Sequence, residues 1–374
     1  MQVIRLAVIG CGRAAESLHL PAAAVCTGIE TTVLVDTNRE RARSLAEAYE
    51  VREVRTSAED AWPLADAAVV ALPHHLHAPV TRELLEANLH VLVEKPLALR
   101  ARECEELAAL AQERGLTLAV GMIRRSFPAI RFVKRVLERA LLGEIERVEL
   151  REGSPFSWEV ASDFTFRSET GGGVLADSGV HVLDLLSWWF AEPVGGATVE
   201  SGASVGPATG VTSLRKSEGT FDRGFEPMIE PTVESYRDDS HGGVEAECEI
   251  ELGLPAGAKA FVELSRTREL SNSVTISGSR GTLTAGTGFA AEVSLDLGGD
   301  PLVGSVRHQE RNYQNVRELF VEQLVDFRDA VKLGRPPFVG ALEARRSVRL
   351  LERCRAIRQP LRLPWVEFSS EATA

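Results

Sequence analysis

Along the first third of the chain, short continuous apolar runs alternate with amphipathic stretches. The runs fall at 3–9, 31–35, 67–72 and 90–93, each of strand length and rich in Val, Ile and Leu. Between them, 13–26, 39–49 and 78–88 repeat their apolar positions every three to four residues, which predicts helices. Strands without polar alternation are those buried on both faces, so this order predicts a parallel sheet with helices on either side. Beyond residue 140 the pattern changes. Strands are expected at 145–151, 245–252, 260–265 and 273–277, with a tight turn at Gly278-Ser279-Arg280-Gly281 and helices at 315–332 and 341–357. That order suits a mostly antiparallel open sheet. The segment 195–240 is rich in glycine, serine and proline and lacks periodicity, so it reads as a long loop or insertion. The expected organisation is a first domain over 1–122, a second over 123–368 and a frayed tail over 369–374.

The first apolar run leads directly into Gly10-Cys11-Gly12-Arg13-Ala14-Ala15, a G-x-G-x-x-A sequence. The second run ends at Asp36. A strand, this loop, a helix and an acid at the end of the next strand make a dinucleotide-binding βαβ unit, the opening of a Rossmann fold. Gly10 permits the tight turn, Gly12 lets the backbone approach a pyrophosphate, and Ala15 allows close packing of helix on strand. The helix start offers N–H groups and partial positive charge to phosphates. Asp36 would accept from the ribose hydroxyls, favouring NAD. Arg39 and Arg41 follow closely, so NADP stands as the alternative. The fold class expected is therefore an α/β N-terminal Rossmann domain plus an α+β C-terminal domain.

Composition narrows the function classes. The 374 residues carry 42 basic and 54 acidic side chains, a formal charge of −12 with the signs interspersed, which argues against a nucleic-acid groove. No apolar run is long enough for a membrane span, and Met1 to Arg5 lack the features of a signal peptide, so a cytoplasmic protein is expected. The five cysteines have no CxxC pair and read as reduced thiols. Lysine is scarce: Lys95, Lys134, Lys216, Lys259 and Lys332 are the whole set, against 37 arginines. A guanidinium stays charged, whereas an ammonium is able to give up its proton, so a lysine at a strand end suggests a requirement for titration.

Two segments, Leu72-Pro73-His74-His75-Leu76-His77 and Glu94-Lys95-Pro96, fall at the carboxyl ends of expected strands, where open parallel sheets bind ligands. Further on, Asp177, His181 and Asp184 are offset by four and three residues, so one helix starting near Asp177 would align them as a polar stripe among apolar neighbours. Such a stripe is a site or an internally satisfied network. Asp184 is assigned to the network. The histidines at 74, 75 and 77 make a weak case for a metal, and none is expected.

At Glu94-Lys95-Pro96 the chain resembles the Gfo/Idh/MocA oxidoreductase family, the glucose–fructose oxidoreductase and inositol dehydrogenase-like enzymes. The segment at 72–77 is similar to the family's T-P-N-x-x-H, agreeing at Pro73 and His77 and departing at His74. Val120 to Pro128 resembles V-G-x-x-x-R-x-x-P, Phe166-Arg167 resembles a W-R pair, and Gly171 to Asp184 is similar to G-G-G-x-x-x-D-x-G-x-H-x-x-D. The resemblance covers residues 3–190.

What the resemblance implies is an NAD(P)-dependent enzyme moving hydride between nicotinamide and a CHOH/C=O centre of a sugar, nucleotide sugar or cyclitol. Gly10, Cys11, Gly12, Arg13, Ala14, Asp36, Leu72, Pro73, His74, His77, Glu94 and Lys95 are then expected at the cofactor. His181 is expected as acid/base, Lys95 as oxygen binder and proton partner, with the two able to exchange roles, and Asp177 as the orienting group. Arg124, Arg125 and Arg167 are expected anchors for an anionic substrate group. Arg266-Thr267-Arg268 is reminiscent of members from surface-polysaccharide pathways, which tilts the substrate toward a nucleotide sugar. Relatives of this kind also include NAD-dependent glycosidases working by transient oxidation and non-catalytic NAD(P)-binding regulators, and both stay open. A homodimer or homotetramer is expected.

Overall fold

The computed structural model describes residues 3–159, 162–193, 228–241, 243–299, 301–305 and 313–361. The first domain holds a parallel sheet of β1 (Ile4–Ile9), β2 (Ile29–Val35), β3 (Glu53–Arg55), β4 (Ala67–Val70), β5 (His90–Val93) and β6 (Leu118–Val120), in the order 3-2-1-4-5-6. That order reverses between β1 and β4, which opens a crevice at their carboxyl ends. A π-helical turn, Ala15–His19, runs into α1 (Leu20–Val25). Then come α2 (Arg39–Ala48), α3 (His74–Glu86) and α4 (Ala101–Glu113). Helix α3 begins at His74, four residues before the periodicity suggested, with Pro73 as its N-cap.

Next come α5 (Pro128–Glu138), β7 (Ile145–Gly153), a second π-helical turn at Leu175–Gly179, α6 (Val180–Phe190) and a small ribbon of β8 (Glu192–Pro193) with β9 (Met228–Ile229). The larger sheet is completed by β10 (Thr232–Asp238), β11 (Glu247–Gly253), β12 (Lys259–Ser265), β13 (Ser273–Gly278), β14 (Gly281–Gly286), β15 (Glu292–Asp296), β16 (Leu302–Ser305) and β17 (Gln359–Pro360). Its order is 16-15-14-13-7-12-11-10-17, antiparallel except for the β7–β12 and β10–β17 pairs.

Two features differ from the sequence expectation. Residues 232–238, inside the segment read as a loop, form β10; its register slips between Val233 and Ser235, so the buried positions are 233, 236 and 238 and the period of two is broken. The part of that segment from 195 to 227, and the expected tail at 369–374, lie outside the described residues. Strands β14 to β16 were not expected, because they are only four to six residues long and β14 and β16 carry glycine, so they have little β signal of their own. The last two helices, α7 (Arg317–Leu333) and α8 (Ala341–Ala356), do not belong to one layer. Phe320, Leu324 and Phe327 of α7 pack into the first domain's core beside Leu6, Val8 and Leu92. Helix α8 buries Ala344 and Val348 in one core and Leu350, Leu351 and Cys354 in the other. The chain's last helices thus join the two halves.

A buried ion pair reinforces that junction. Arg125, following β6, gives Nε and Nη2 to Asp184 of α6 at 2.8 and 2.7 Å, and both side chains are about 1–2% exposed. The expected substrate anchor Arg125 is therefore committed to the interior, and Asp184 is part of a network as expected. Removing one partner leaves an uncompensated buried charge. Asp184→Ala is expected to cost about 3–5 kcal/mol in denaturant unfolding, and Arg125→Met with Asp184→Leu to recover most of it; equal losses in single and double variants would contradict this account.

Candidate active site

The crevice is built from the glycine loop after β1, the segments after β4 and β5, and the second π turn. Gly10 has φ of +94°, and a Cβ there would lie 2.3 Å from the Ala71 carbonyl oxygen, so the protein's own packing requires glycine. Gly12 differs: a Cβ there meets nothing within 4 Å. The missing side chain at Gly12 serves no internal contact, and the open space beside the helix start suits an approaching phosphate group. Asp36 closes the loop, its Oδ2 accepting from the Cys11 amide and its Oδ1 from the Asn38 amide, both at 2.7 Å. Arg41 Nε donates to the Cys11 carbonyl, and Arg13 lies 3.7 Å from Glu159. Burial, with Asp36 adding, pushes the Cys11 thiol up to about 12. All five cysteines are free and buried.

Lys95 follows β5, and its peptide bond to Pro96 is cis. Its Nζ donates to Asp177 Oδ1 at 2.7 Å and to the Asp177 carbonyl at 2.9 Å, across the two halves of the chain. Asp177 Oδ2 accepts from Arg266 Nη2 at 2.8 Å. Burial alone would raise the pKa of Asp177, but the Lys95 and Arg266 cations outweigh it and hold the carboxyl far below the usual range. Asp177 thus orients Lys95; among the described contacts it makes no hydrogen bond to His181. The helical stripe diverges because Asp177 lies in the π turn rather than in α6.

His181 is buried and its Nδ1 has no hydrogen-bond partner. Burial, with Arg124 and Lys95 nearby, pushes its pKa well below the ordinary value, so it is neutral. Arg124 is near His181 but already paired with Glu152. Arg167 points outward, more than half exposed, and pairs with Asp163.

The remaining expected residues shape the crevice from behind. His74 Nδ1 lies 2.7 Å from the Gly171 carbonyl. His77 is fully buried, with its ring nitrogens 2.7 Å from the Pro96 and Leu72 carbonyls. Glu94 faces His19, Oε1 to Nε2 at 2.7 Å. Burial would raise the pKa of Glu94, but the bond from His19 and the Lys95 charge leave it lowered. No group of three or more His, Cys, Asp or Glu suited to a metal occurs among the described residues.

Two residues of this site escaped the sequence reading in their roles. Glu152, which occupies Arg124, lies on β7 and carried no motif. Arg266 was noticed only as part of Arg266-Thr267-Arg268; its position just after β12, under Asp177, depends on how the second sheet docks.

The fold that brings the glycine loop and the Lys95–Asp177 bridge together is shared with known proteins. Residues 4–122 match the oxidoreductase family model with an NAD-binding Rossmann fold, and residues 130–284 match the GFO/IDH/MocA C-terminal domain. The chain belongs to the Gfo/Idh/MocA family of oxidoreductases. Among its relatives, it is 31% identical over 227 residues to dTDP-3,4-didehydro-2,6-dideoxy-alpha-D-glucose 3-reductase of Streptomyces violaceoruber, covering 59% of this chain and 65% of that one. It is 30% identical over 197 residues to D-glucoside 3-dehydrogenase of Escherichia coli K12, covering 51% and 55%. The matches thus span about half to two thirds of the length of these relatives. The fold is shared with KijD10, a 3-ketoreductase from Actinomadura kijaniata solved with NADP and TDP-benzene, at TM-score 0.76, 22% identity and coverage of 97% and 100%. It is shared also with the aldose-aldose oxidoreductase of Caulobacter crescentus, at TM-score 0.74, 21% identity and coverage of 95% and 98%. No described helix is long and apolar enough to cross a membrane.

His74 supplies a test of this geometry. Its folded pKa is pushed down to about 3, chiefly by burial and then by Lys95. Below about pH 6.5 the unfolded chain binds a proton that the native state refuses, so stability falls with pH until about pH 3. Between pH 7 and pH 5, urea unfolding is expected to show wild type losing about 2 kcal/mol more than His74→Asn; parallel losses would mean His74 is not held neutral.

Proposed function

We propose that this chain is an NAD(P)-dependent oxidoreductase transferring hydride between nicotinamide and a CHOH/C=O centre of a sugar or nucleotide sugar. The observation that carries the reading is the Lys95 ammonium held on Asp177 beside the glycine loop, with the neutral His181 close by. The dinucleotide, when bound, supplies the hydride acceptor or donor. Gly10, Cys11, Gly12, Arg13 and Ala14 would hold its phosphates and Asp36 its ribose. The segments at Leu72–Pro73 and Glu94–Lys95 would line the far end, backed by His74 and His77.

An ammonium has three N–H donors, and Asp177 takes two of those on Lys95. The third is left for a substrate oxygen. In ketone reduction, that N–H bond breaks as an O–H bond forms; in oxidation the proton moves the other way. His181, too weakly basic to be protonated near neutral pH, acts as the second hydrogen-bond partner of the same oxygen. Lys95 is therefore assigned the proton and His181 the orientation, the exchange of roles that the sequence left open. Arg124 and Arg167 already have carboxylate partners, so an anionic substrate group would have to compete for them.

Asp36 supports NAD, while Arg41 beside the Cys11 carbonyl supports NADP as a second cofactor. The relatives named above act on sugars or dTDP-sugars, which supports that substrate class. The assembly of Lys95, Asp177 and His181 favours an enzyme over a regulator, since binding a dinucleotide alone requires none of the three. Self-association as a homodimer or homotetramer remains part of this proposal.

The test is a thermal-shift titration with NAD, NADH, NADP and NADPH, alone and with a panel of glycosides and nucleotide sugars, followed by turnover assays on whatever adds to the shift. A dinucleotide shift increased by one sugar class is expected. Lys95→Ala should lower kcat by about 10²–10⁴-fold while sparing dinucleotide affinity. Unchanged turnover in that variant, or no shift with any dinucleotide, would overturn the reading.

A further inference from the structure

Asp177 is a single carboxylate held between two cations, and only one of them belongs to the proton-carrying machinery assigned above. The other, Arg266, comes from the second sheet, just past the end of β12. It is nearly buried, donates Nη1 to the Thr165 carbonyl at 3.2 Å, and lies over the ring of Phe156 at 5.0 Å. Both contacts fix the guanidinium plane independently of Asp177. An arginine free to follow Asp177 would need neither.

We infer that Arg266 is a positioning residue that keeps the Asp177 carboxylate shared, so that Lys95 is aimed at the crevice without its proton being trapped in an exclusive ion pair. This rests on the oxidoreductase reading and extends it to a residue outside that reading. The physical reason is competition for one charge. A carboxylate bonded only to Lys95 would have both oxygens available to it, and in a partly buried crevice that pair would hold the ammonium proton strongly. With Oδ2 committed to Arg266, Lys95 meets half of the carboxylate and also the repulsion of a second fixed cation. The surrounding groups do not cancel this effect. His74 and His181 are neutral, Arg124 is balanced by Glu152, and Glu94 is held by His19, while His77 lies behind Lys95 against backbone carbonyls. Lys95, Arg266 and Asp177 together leave one net positive charge, which matches an oxygen that becomes alkoxide-like during hydride transfer.

The test compares wild type, Arg266→Gln and Arg266→Lys in the full chain. Removing the charge should leave dinucleotide affinity by thermal shift unaltered. It should move the acid limb of the alcohol-oxidation kcat/KM profile upward by about one pH unit, since the proton is then harder to remove. Arg266→Lys, which keeps the charge, should restore most of that shift even where its kcat stays low. A second readout needs neither substrate nor turnover: competitive acetylation of Lys95 with acetic anhydride near neutral pH, read by mass spectrometry, should slow about tenfold in Arg266→Gln and recover in Arg266→Lys. An unmoved limb together with unchanged Lys95 acetylation in a folded Arg266→Gln protein would overturn the inference. So would equal effects from the two substitutions, which would mark Arg266 as a packing residue. If no sugar is turned over by wild type, the acetylation result still decides the role of Arg266, while the oxidoreductase reading fails separately.

Discussion

The contact between Lys95 and Asp177 ties together parts of the chain that are 82 residues apart and lie in different layers. A partly buried ammonium is costly unless a carboxylate accompanies it, and a carboxylate in the same position is costly without a cation. Each therefore requires the other. Satisfying both forces the loop after β5 and the turn before α6 to meet at one edge of the parallel sheet. Around that fixed point the remaining elements have little freedom: α8 fills both cores, α7 covers the first sheet, and Arg125 with Asp184 closes the seam below.

Both π-helical turns end on the same dipeptide. The first, Ala15–His19, delivers His19 to Glu94; the second, Leu175–Gly179, delivers Asp177 to Lys95. A π turn widens the backbone and redirects one side chain away from the regular helical stripe, which explains its frequent appearance at functional sites. Here it separates Asp177 from Asp184, so that one carboxylate faces the crevice and the other the interior. A regular helix would have placed them on a common face with His181.

Electrostatics in the crevice follow from this arrangement. Three imidazoles, His74, His77 and His181, are buried around a single lysine, and the two that border the site most closely, His74 and His181, are driven neutral by burial and by that charge. Local geometry thus favours Lys95 over His181 for the proton in the proposed reaction, a choice that the sequence by itself left open.

The local sequence determined the first domain in some detail, because its signals are local. Gly10 and Gly12 stand in a short turn directly after an apolar run, a pattern contained within a few residues, and strands buried on both faces announce themselves by continuous apolar runs. The stripe from Asp177 to Asp184 was legible as polar positions within an apolar helix. What tertiary structure alone decided was who pairs with whom. Asp177 bonds Lys95 and Arg266 rather than His181, Arg124 is taken by Glu152, and Arg167 turns to Asp163. Strand β10 also stayed hidden, since a bulge moved its buried positions off the period of two. Pairing of charges across long sequence separations depends on the docking of whole sheets and helices, and no spacing along the chain encodes it.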